Sequence, residues 1–305
     1  MRILVTGAFG YLGLALVRRL AAAHHVIAFG HAPRNPAAHA VIPEKVTLVE
    51  GDLLDVAATV SAYAPVDAIV HLAGGGGPAR VGADPTAAVR TNVLGTSRLC
   101  AAKGKAQLLF ASTIQVYGTH RTHAGPYRET DATAPDDLYG ALKEAAEAIV
   151  RVAGGTSLRL PNLFGAGAGI DLGIQGAVER FARAAAAGGE LVVYAPGTQR
   201  IDYLHVDDAV SAFVAALGRE LPPELNLGSG APVSIGELAS FCVGSAHRVG
   251  ATPRIVVRQP PDGNKVWPDR SLTNGLAGNT LGWRPQVRMQ TGIDALVAMM
   301  AGSPA

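Results

Sequence analysis

Apolar residues recur along this chain in two rhythms. Short apolar runs at Arg2–Val5, Val26–Phe29, Val46–Val49, Ala68–Leu72, Gln107–Ala111 and Thr156–Leu160 have the length of buried strands. Between them lie stretches with a helical repeat. In Tyr11–Ala23 the residues Leu12, Leu16 and Leu20 fall on one face, as side chains four positions apart do on an α-helix. Ala83–Cys100 and Leu138–Val152 read as further helices. Strands separated by helices predict an α/β fold, a doubly wound parallel sheet covered on both faces.

The alternation weakens after Pro161. Gly165–Gly169 reads as loop, Ile174–Ala187 as a helix and Leu191–Val193 as a short strand. Val206–Leu217 and Ile235–Cys242 read as helices, and the tail Arg254–Ala305 carries several prolines and little periodicity. Two domains are expected. One spans 1–160; a smaller, irregular α/β domain spans 161–305, with segments near 200–220 returning to the first.

Composition narrows the class. The 305 residues allow a substantial core. Charged residues are 16%, below the usual quarter, and the net charge of +2 comes without a basic block. No nucleic-acid partner is implied. Cys100 and Cys242 are the only cysteines, so neither a disulfide framework nor a metal site is indicated. The first strand begins at Arg2 and leaves no length for a leader peptide. No apolar run reaches the ~18 residues of a membrane helix. The expectation is a cytoplasmic enzyme with no membrane partner.

The chemistry starts at Gly7-Ala-Phe9-Gly10-Tyr11-Leu12-Gly13, between the first strand and the first helix. Gly7 can take backbone angles closed to other residues. Gly10 leaves room for a phosphate, and Gly13 lets the helix pack closely. Free amides at the helix start then face a pyrophosphate. Further on, Tyr139 and Lys143 stand at i and i+4 of one predicted helix, so both can serve one site. A phenol near pKa 10 is a poor base at neutral pH; a neighbouring ammonium is expected to lower it. Tyr139 could then exchange a proton with a substrate oxygen.

Glycines three apart differ from the Gly-x-Gly-x-x-Gly pattern and resemble the turn of extended short-chain dehydrogenases/reductases. The resemblance covers most of the chain. Gly51-Asp52-Leu53-Leu-Asp55 is similar to the segment whose Asp meets adenine in that family. His71-Leu72-Ala73-Gly74 resembles the loop lining the pyrophosphate and ribose, and Asn92-Val-Leu-Gly-Thr96 resembles a conserved-pattern helix of relatives. His71 and Asn92 have structural readings as well, as a packed strand end and a helix hydrogen bond. The resemblance implies a Rossmann-like fold and a cofactor site of Gly7, Phe9, Gly10, Tyr11, Leu12, Asp52, Leu53, Leu72, Ala73, Gly74, Asn92, Tyr139 and Lys143. Lys143 would also hold the nicotinamide ribose, and Thr113, where many relatives carry Ser, would orient the substrate oxygen. Tyr117 lacks a Lys one turn later and is expected to pack or line the sugar site.

The second strand ends in Phe29-Gly30-His31-Ala-Pro-Arg34, without the acid that holds the ribose of NAD about 20 residues past the glycines. Arg34 could pair with a 2′-phosphate. NADP(H) is favoured on this reading, with NAD(H) the alternative.

The second half resembles nucleotide-sugar epimerases, dehydratases and reductases. Arg159-Leu-Pro-Asn162-Leu-Phe-Gly165 is similar to a segment whose Asn meets the substrate diphosphate, and Gln199-Arg200-Ile-Asp-Tyr-Leu-His-Val-Asp207-Asp208 to one whose Arg pairs with it. Asp207 and Asp208 read as helix caps. Arg258 is a second candidate phosphate contact. Asn226–Gly230 and Leu281–Pro285 are further landmarks. Sugar 4,6-dehydratases follow the Thr with Asp and Glu; here Ile114 and Gln115 stand there, and neither is an acid or base. Elimination and decarboxylation are disfavoured, and Gln115 becomes a candidate substrate contact. A UDP- or TDP-linked sugar is the implied substrate. The preferred reaction is 4-ketoreduction of a 4-keto-sugar, and the alternative is 4-epimerisation with tightly held NAD. A non-catalytic dinucleotide-binding sensor is the reading from another class. Relatives commonly form homodimers through the helices holding Asn92 and Tyr139; Ala141, Ala145, Ala146 and Ala148 would permit that packing.

Overall fold

The computed structural model describes residues 1–32, 37–74, 76–119, 125–167, 176–261 and 268–302. The first strands are β1 (Arg2–Thr6), β2 (His25–Gly30), β3 (Thr47–Glu50), β4 (Ala68–His71), β5 (Gln107–Thr113) and β6 (Thr156–Leu160). The central strands β1, β2, β4 and β5 are short apolar runs suited to burial on both faces, while β3, at the edge, leaves Leu48 and Glu50 exposed. Next come β7 (Asn162–Phe164), β8 (Glu190–Tyr194), β9 (Arg200–Ile201), β10 (Tyr203–His205), β11 (Glu224–Asn226), β12 (Val233–Ser234) and β13 (Arg254–Arg258). Seven strands form one parallel sheet in the order β11-β6-β5-β4-β1-β2-β3. The Rossmann-like expectation holds.

Strand alternation sorts the core. Ile3 and Val5 of β1 face one side with the helices Tyr11–Ala21 and Val206–Ala216. Leu4 faces the other, with Val56, Leu99 and Val150 from three further helices. Each fully buried Leu, Ile or Val here contributes about 1.5–3 kcal/mol. A separate core joins the helices Ala177–Ala186, Ile235–Arg248 and Met289–Gly302 around Phe181, Leu238, Ile293 and Leu296.

Several expectations are corrected. The helix expected over Ala83–Cys100 begins at Pro85, because Asp84 accepts from Ala87 N (3.0 Å) and caps it. It then widens into a π-helical turn over Arg90–Gly95 before resuming as Thr96–Ala102. The edge strand β11 has three residues, too few for a visible pattern. The tail holds β13 and the helices Gly275–Leu281 and Met289–Gly302. Asp208 is no cap: buried, it accepts from Gln286 N (2.8 Å) and Val287 N (3.0 Å) and ties that tail to the helix above. His205 is the capping residue, accepting from Asp207 N at 3.3 Å. Gly169 and Ile174, ends of an expected loop and helix, lie outside the described residues. Among the described residues no helix is long and apolar enough to cross a membrane.

Candidate active site

The glycine turn is tight where its sequence requires it. Gly7 has φ +67°, and a Cβ there would lie 2.7 Å from Ala73 N. A Cβ on Gly13 would fall 2.2 Å from Gly7 O, so only glycine lets the helix sit this close. Gly10 starts the helix with extended backbone and no side-chain cap. The first-turn amides therefore keep their capacity for an anion. Leu12 is core, Phe9 packs beside Gly30, and the Tyr11 hydroxyl donates to Gly165 O at 2.6 Å. What these three side chains leave for a ligand is their backbone.

A cleft of about 350 Å³ opens beside this turn, lined by Gly7, Gly30, His31, Asp52, Ala73 and Gly74. Asp52 accepts from Leu54 N (2.8 Å) and sits 3.6 Å from His31 Nε2. Leu53 is buried under Gly95, and Leu72 N donates to Thr6 O at 3.1 Å. Arg34, the expected 2′-phosphate partner, lies outside the described residues.

His71 is structural. Its Nδ1 is 2.7 Å from Thr6 Oγ1 and its Nε2 is 2.9 Å from Thr96 Oγ1. Thr96 spends its proton on Asn92 O (2.6 Å), so Nε2 is the donor and Nδ1 accepts. Burial, then the charge of Lys143, pushes this imidazole down to about 3, and it stays neutral. Asn92 is divided: Nδ2 donates to Ala88 O at 2.9 Å within the helix, while its shielded Oδ1 finds no donor among the described residues. That oxygen faces Gly74, where a Cβ would meet both Asn92 Oδ1 (2.9 Å) and Lys143 Nζ (3.2 Å). A glycine cradle, free helix-start amides and an orphaned acceptor fit a dinucleotide.

Thr113 ends β5, and Asp137 caps the helix Leu138–Val152 through Gly140 N (2.7 Å). A Cβ on Gly140 would press on Gln115 O at 2.6 Å, so this glycine seats the helix start against the turn after β5. The side chains of Thr113 and Tyr139 are thereby hydrogen-bonded. Lys143, one turn on, is 5% exposed; its Nζ donates to Ala111 O (3.0 Å) and stands 4.6 Å from the Phe110 ring centre.

The expected lowering of the phenol is corrected. Burial pushes Tyr139 up to about 12, against the Thr113 hydrogen bond and with help from Asp137. Burial also brings Lys143 down to about 8, opposed by Glu147. The amine serves a carbonyl, and desolvation outweighs pairing. Resting Tyr139 is a proton donor.

Behind this set lies a network that the sequence reading missed. Glu147, one turn past Lys143, takes Arg159 Nε (2.9 Å) and Nη2 (2.7 Å) in a buried bidentate pair. Arg159 Nη1 also donates to the Tyr117 hydroxyl (2.8 Å), which donates to Asn226 Oδ1 (2.9 Å). Tyr117 packs and does not line the sugar site. The Lys143-x-x-x-Glu147 spacing was the available signal.

A second cleft of about 620 Å³ holds Gln115, Asn162, Arg180, Gln199, Tyr203 and Arg270 on its walls. The expected arginines are elsewhere. Arg200 and Ile201 are neighbours on β9 and face opposite ways; Ile201 lines the cleft, while Arg200 is exposed, with Nη1 3.1 Å from Glu237 and Nη2 on Pro232 O. Arg258, on β13, is held by Glu190 at 2.9 Å outside the cleft. Arg270 and Arg180 are the arginines on the described walls. Arg270 is 8% exposed and locked beside β9, where its N donates to Arg200 O and its O accepts from Asp202 N, both at 2.8 Å. No sequence pattern pointed to it.

Comparison with known proteins agrees with the fold. A model of the NAD dependent epimerase/dehydratase family matches residues 3–228. The chain is 32% identical to the UDP-glucose 4-epimerase of Mycolicibacterium smegmatis, covering 96% of each. It is 30% identical to the dTDP-L-rhamnose 4-epimerase of Burkholderia thailandensis, over 98% of this chain and 95% of that one. The UDP-glucose 4-epimerase of Thermus thermophilus, solved with NAD, superposes with a TM-score of 0.84 at 25% identity, each chain covered in full (100%).

Proposed function

The chain belongs to the NAD-dependent epimerase/dehydratase family, and on that premise we propose that it inverts C4 of a nucleotide-linked sugar with NAD as its cofactor. One observation carries the reading. Thr113, Tyr139 and Lys143 converge at the end of β5, and the two residues after Thr113 are Ile114 and Gln115. The set can move a proton at one oxygen, and the positions where dehydratases carry an acid pair offer neither acid nor base. The 4-epimerase relatives support inversion over net reduction. Asp52 supports NAD: the cleft beside Gly30 holds a carboxylate, which opposes a 2′-phosphate.

Thr113 and Tyr139 would grip the substrate oxygen. When bound, a nicotinamide dinucleotide supplies two-electron exchange at the carbon. Tyr139, protonated at rest, gives up its proton only when added positive charge offsets its burial. Lys143, charged below about pH 8, already belongs to that resting state, so the further charge would come with an oxidised nicotinamide. Asn162 and Arg270 would receive the diphosphate. Self-association through the helices holding Asn92 and Tyr139 belongs to the same reading; Ala141, Ala145 and Ala148 line a surface groove there.

A second reading is one-way 4-ketoreduction with NADPH, favoured by the missing acid at Gly30-His31. One experiment separates them. The full chain with NAD is given UDP-glucose or dTDP-L-rhamnose, and the C4 epimer is followed by NMR. Inversion with no net cofactor consumption supports the proposal. NADPH consumed on a nucleotide-linked 4-keto-sugar, without inversion, establishes the reductase.

A further inference from the structure

Resting on the nucleotide-sugar reading above, we infer that Gln199 recognises the base of the nucleotide, its side-chain amide pairing with the imide edge of a pyrimidine-2,4-dione such as uracil or thymine. Position is the first ground. Strand pairing leads away from the reacting end in a fixed order. Thr113 pairs with Leu160 at the end of β6, and β7 starts at Asn162, just past Pro161. Asn162 pairs with Tyr203 on β10, and both stand on the cleft wall. Only Asp202 separates β10 from β9, and β9 pairs with β12, Ile201 against Val233. Gln199 comes immediately before β9. The turn there is tied to the start of the helix Ile235–Arg248, where Gly236 N donates to Gly197 O at 3.0 Å. Gln199 and Ile235 therefore line the cleft at the end remote from Tyr139. A nucleotide-linked sugar is an extended molecule, and with its sugar at Tyr139 its base lies at that remote end.

Chemistry is the second ground. Gln199 Oε1 is shielded from water and has no donor among the described residues. A buried acceptor left unpaired is costly, and a ligand N–H repairs it. Ile201 and Ile235 line the same end and suit the faces of a planar ring. An amide carries an acceptor and a donor side by side. The edge of uracil or thymine carries the complement, an N3–H beside a carbonyl, and bases are read at such edges. Oε1 takes the N3–H, and Nε2 gives to the carbonyl. Both partners are neutral, so the pairing does not depend on the charges elsewhere in the cleft. The C5 methyl that separates thymine from uracil makes neither bond.

The test titrates the full chain, with NAD present, with UDP, dTDP and UDP methylated at N3 of uracil. The methyl removes the N3–H and leaves ribose and diphosphate as they were. A site built to bond an N–H rejects the analogue that lacks it, so UDP is expected to bind at least about tenfold tighter than its N3-methyl form. This comparison needs no variant. Gln199→Ala should then weaken UDP and bring the two forms to equal affinity, because it removes the acceptor and makes room for the methyl. Equal binding of both forms by the unaltered chain overturns the inference and leaves the nucleotide-sugar reading standing. A preference that Gln199→Ala retains does the same. Failure of both UDP and dTDP to bind overturns the two together.

Discussion

The surroundings of Tyr139 and the walls of the Asn162 cleft are made in different ways. Tyr139, Lys143 and Glu147 come from one helix, and Thr113 from the strand end that the helix start rests on. Their polar groups are mostly spoken for: Lys143 by Ala111 O, Glu147 by Arg159, Asp137 by Gly140 N. The Asn162 cleft draws on segments near residues 115, 162, 180, 200 and 270. Two of its glutamine oxygens have no donor among the described residues. The first region is rigid machinery completed by its own chain. The second is a surface whose hydrogen bonds wait for a ligand.

The largest break in that contrast is Tyr139→Phe. Turnover should fall about 10²–10⁴-fold, while dinucleotide binding, read by fluorescence titration, stays intact. Turnover that survives the change would show that a group other than Tyr139 moves the proton. Glu147→Gln comes next. It leaves Arg159 buried without its partner, and unfolding in urea should show a loss of about 3–5 kcal/mol. The same change removes the carboxylate that holds Lys143 up, so that amine should titrate below about 8.

Lys143 sharpens the picture through pH. Folded, it releases its proton near 8; unfolded, it keeps it to about 10.4. Between those values the unfolded chain binds more protons, so stability from this group rises with pH by up to about 1.4 kcal/mol per unit. Below 8 its contribution is flat. Lys143→Met should abolish the rise between urea titrations at the two ends of the window.

The arginines make the finest test. Arg270→Ala should cost about 1.5–3 kcal/mol in nucleoside diphosphate affinity, the worth of a charge-assisted hydrogen bond. Arg200→Ala should change that affinity not at all, and stability by about 0–1 kcal/mol, as an exposed ion pair does. The reverse result would return the diphosphate to the residue favoured by motif matching.

The same contrast governs legibility. Gly7 and Gly13 could be read because a close turn demands glycine there: a Cβ would fall 2.7 Å from Ala73 N at Gly7 and 2.2 Å from Gly7 O at Gly13, while at Gly10 it would stand 3.3 Å from Gly7 O. Arg200 stands outside the cleft because adjacent residues on a strand face opposite ways, and Ile201 takes the inward place. Arg270 had no local signal: its place depends on a bridge to β9 from a segment about 70 residues away. The π-helical turn at Asn92 was hidden because a change from i→i+4 to i→i+5 hydrogen bonds calls for no particular residue type.

By itself the sequence determined the parallel sheet, the glycine turn and the tyrosine–lysine pair, since each depends on spacing within a few residues. The tertiary structure decided which arginine reaches the cleft, which histidine and tyrosine are only packing, and how burial sets Tyr139 near 12 and Lys143 near 8. Those outcomes depend on desolvation and on contacts between distant segments, and neither is encoded in local periodicity.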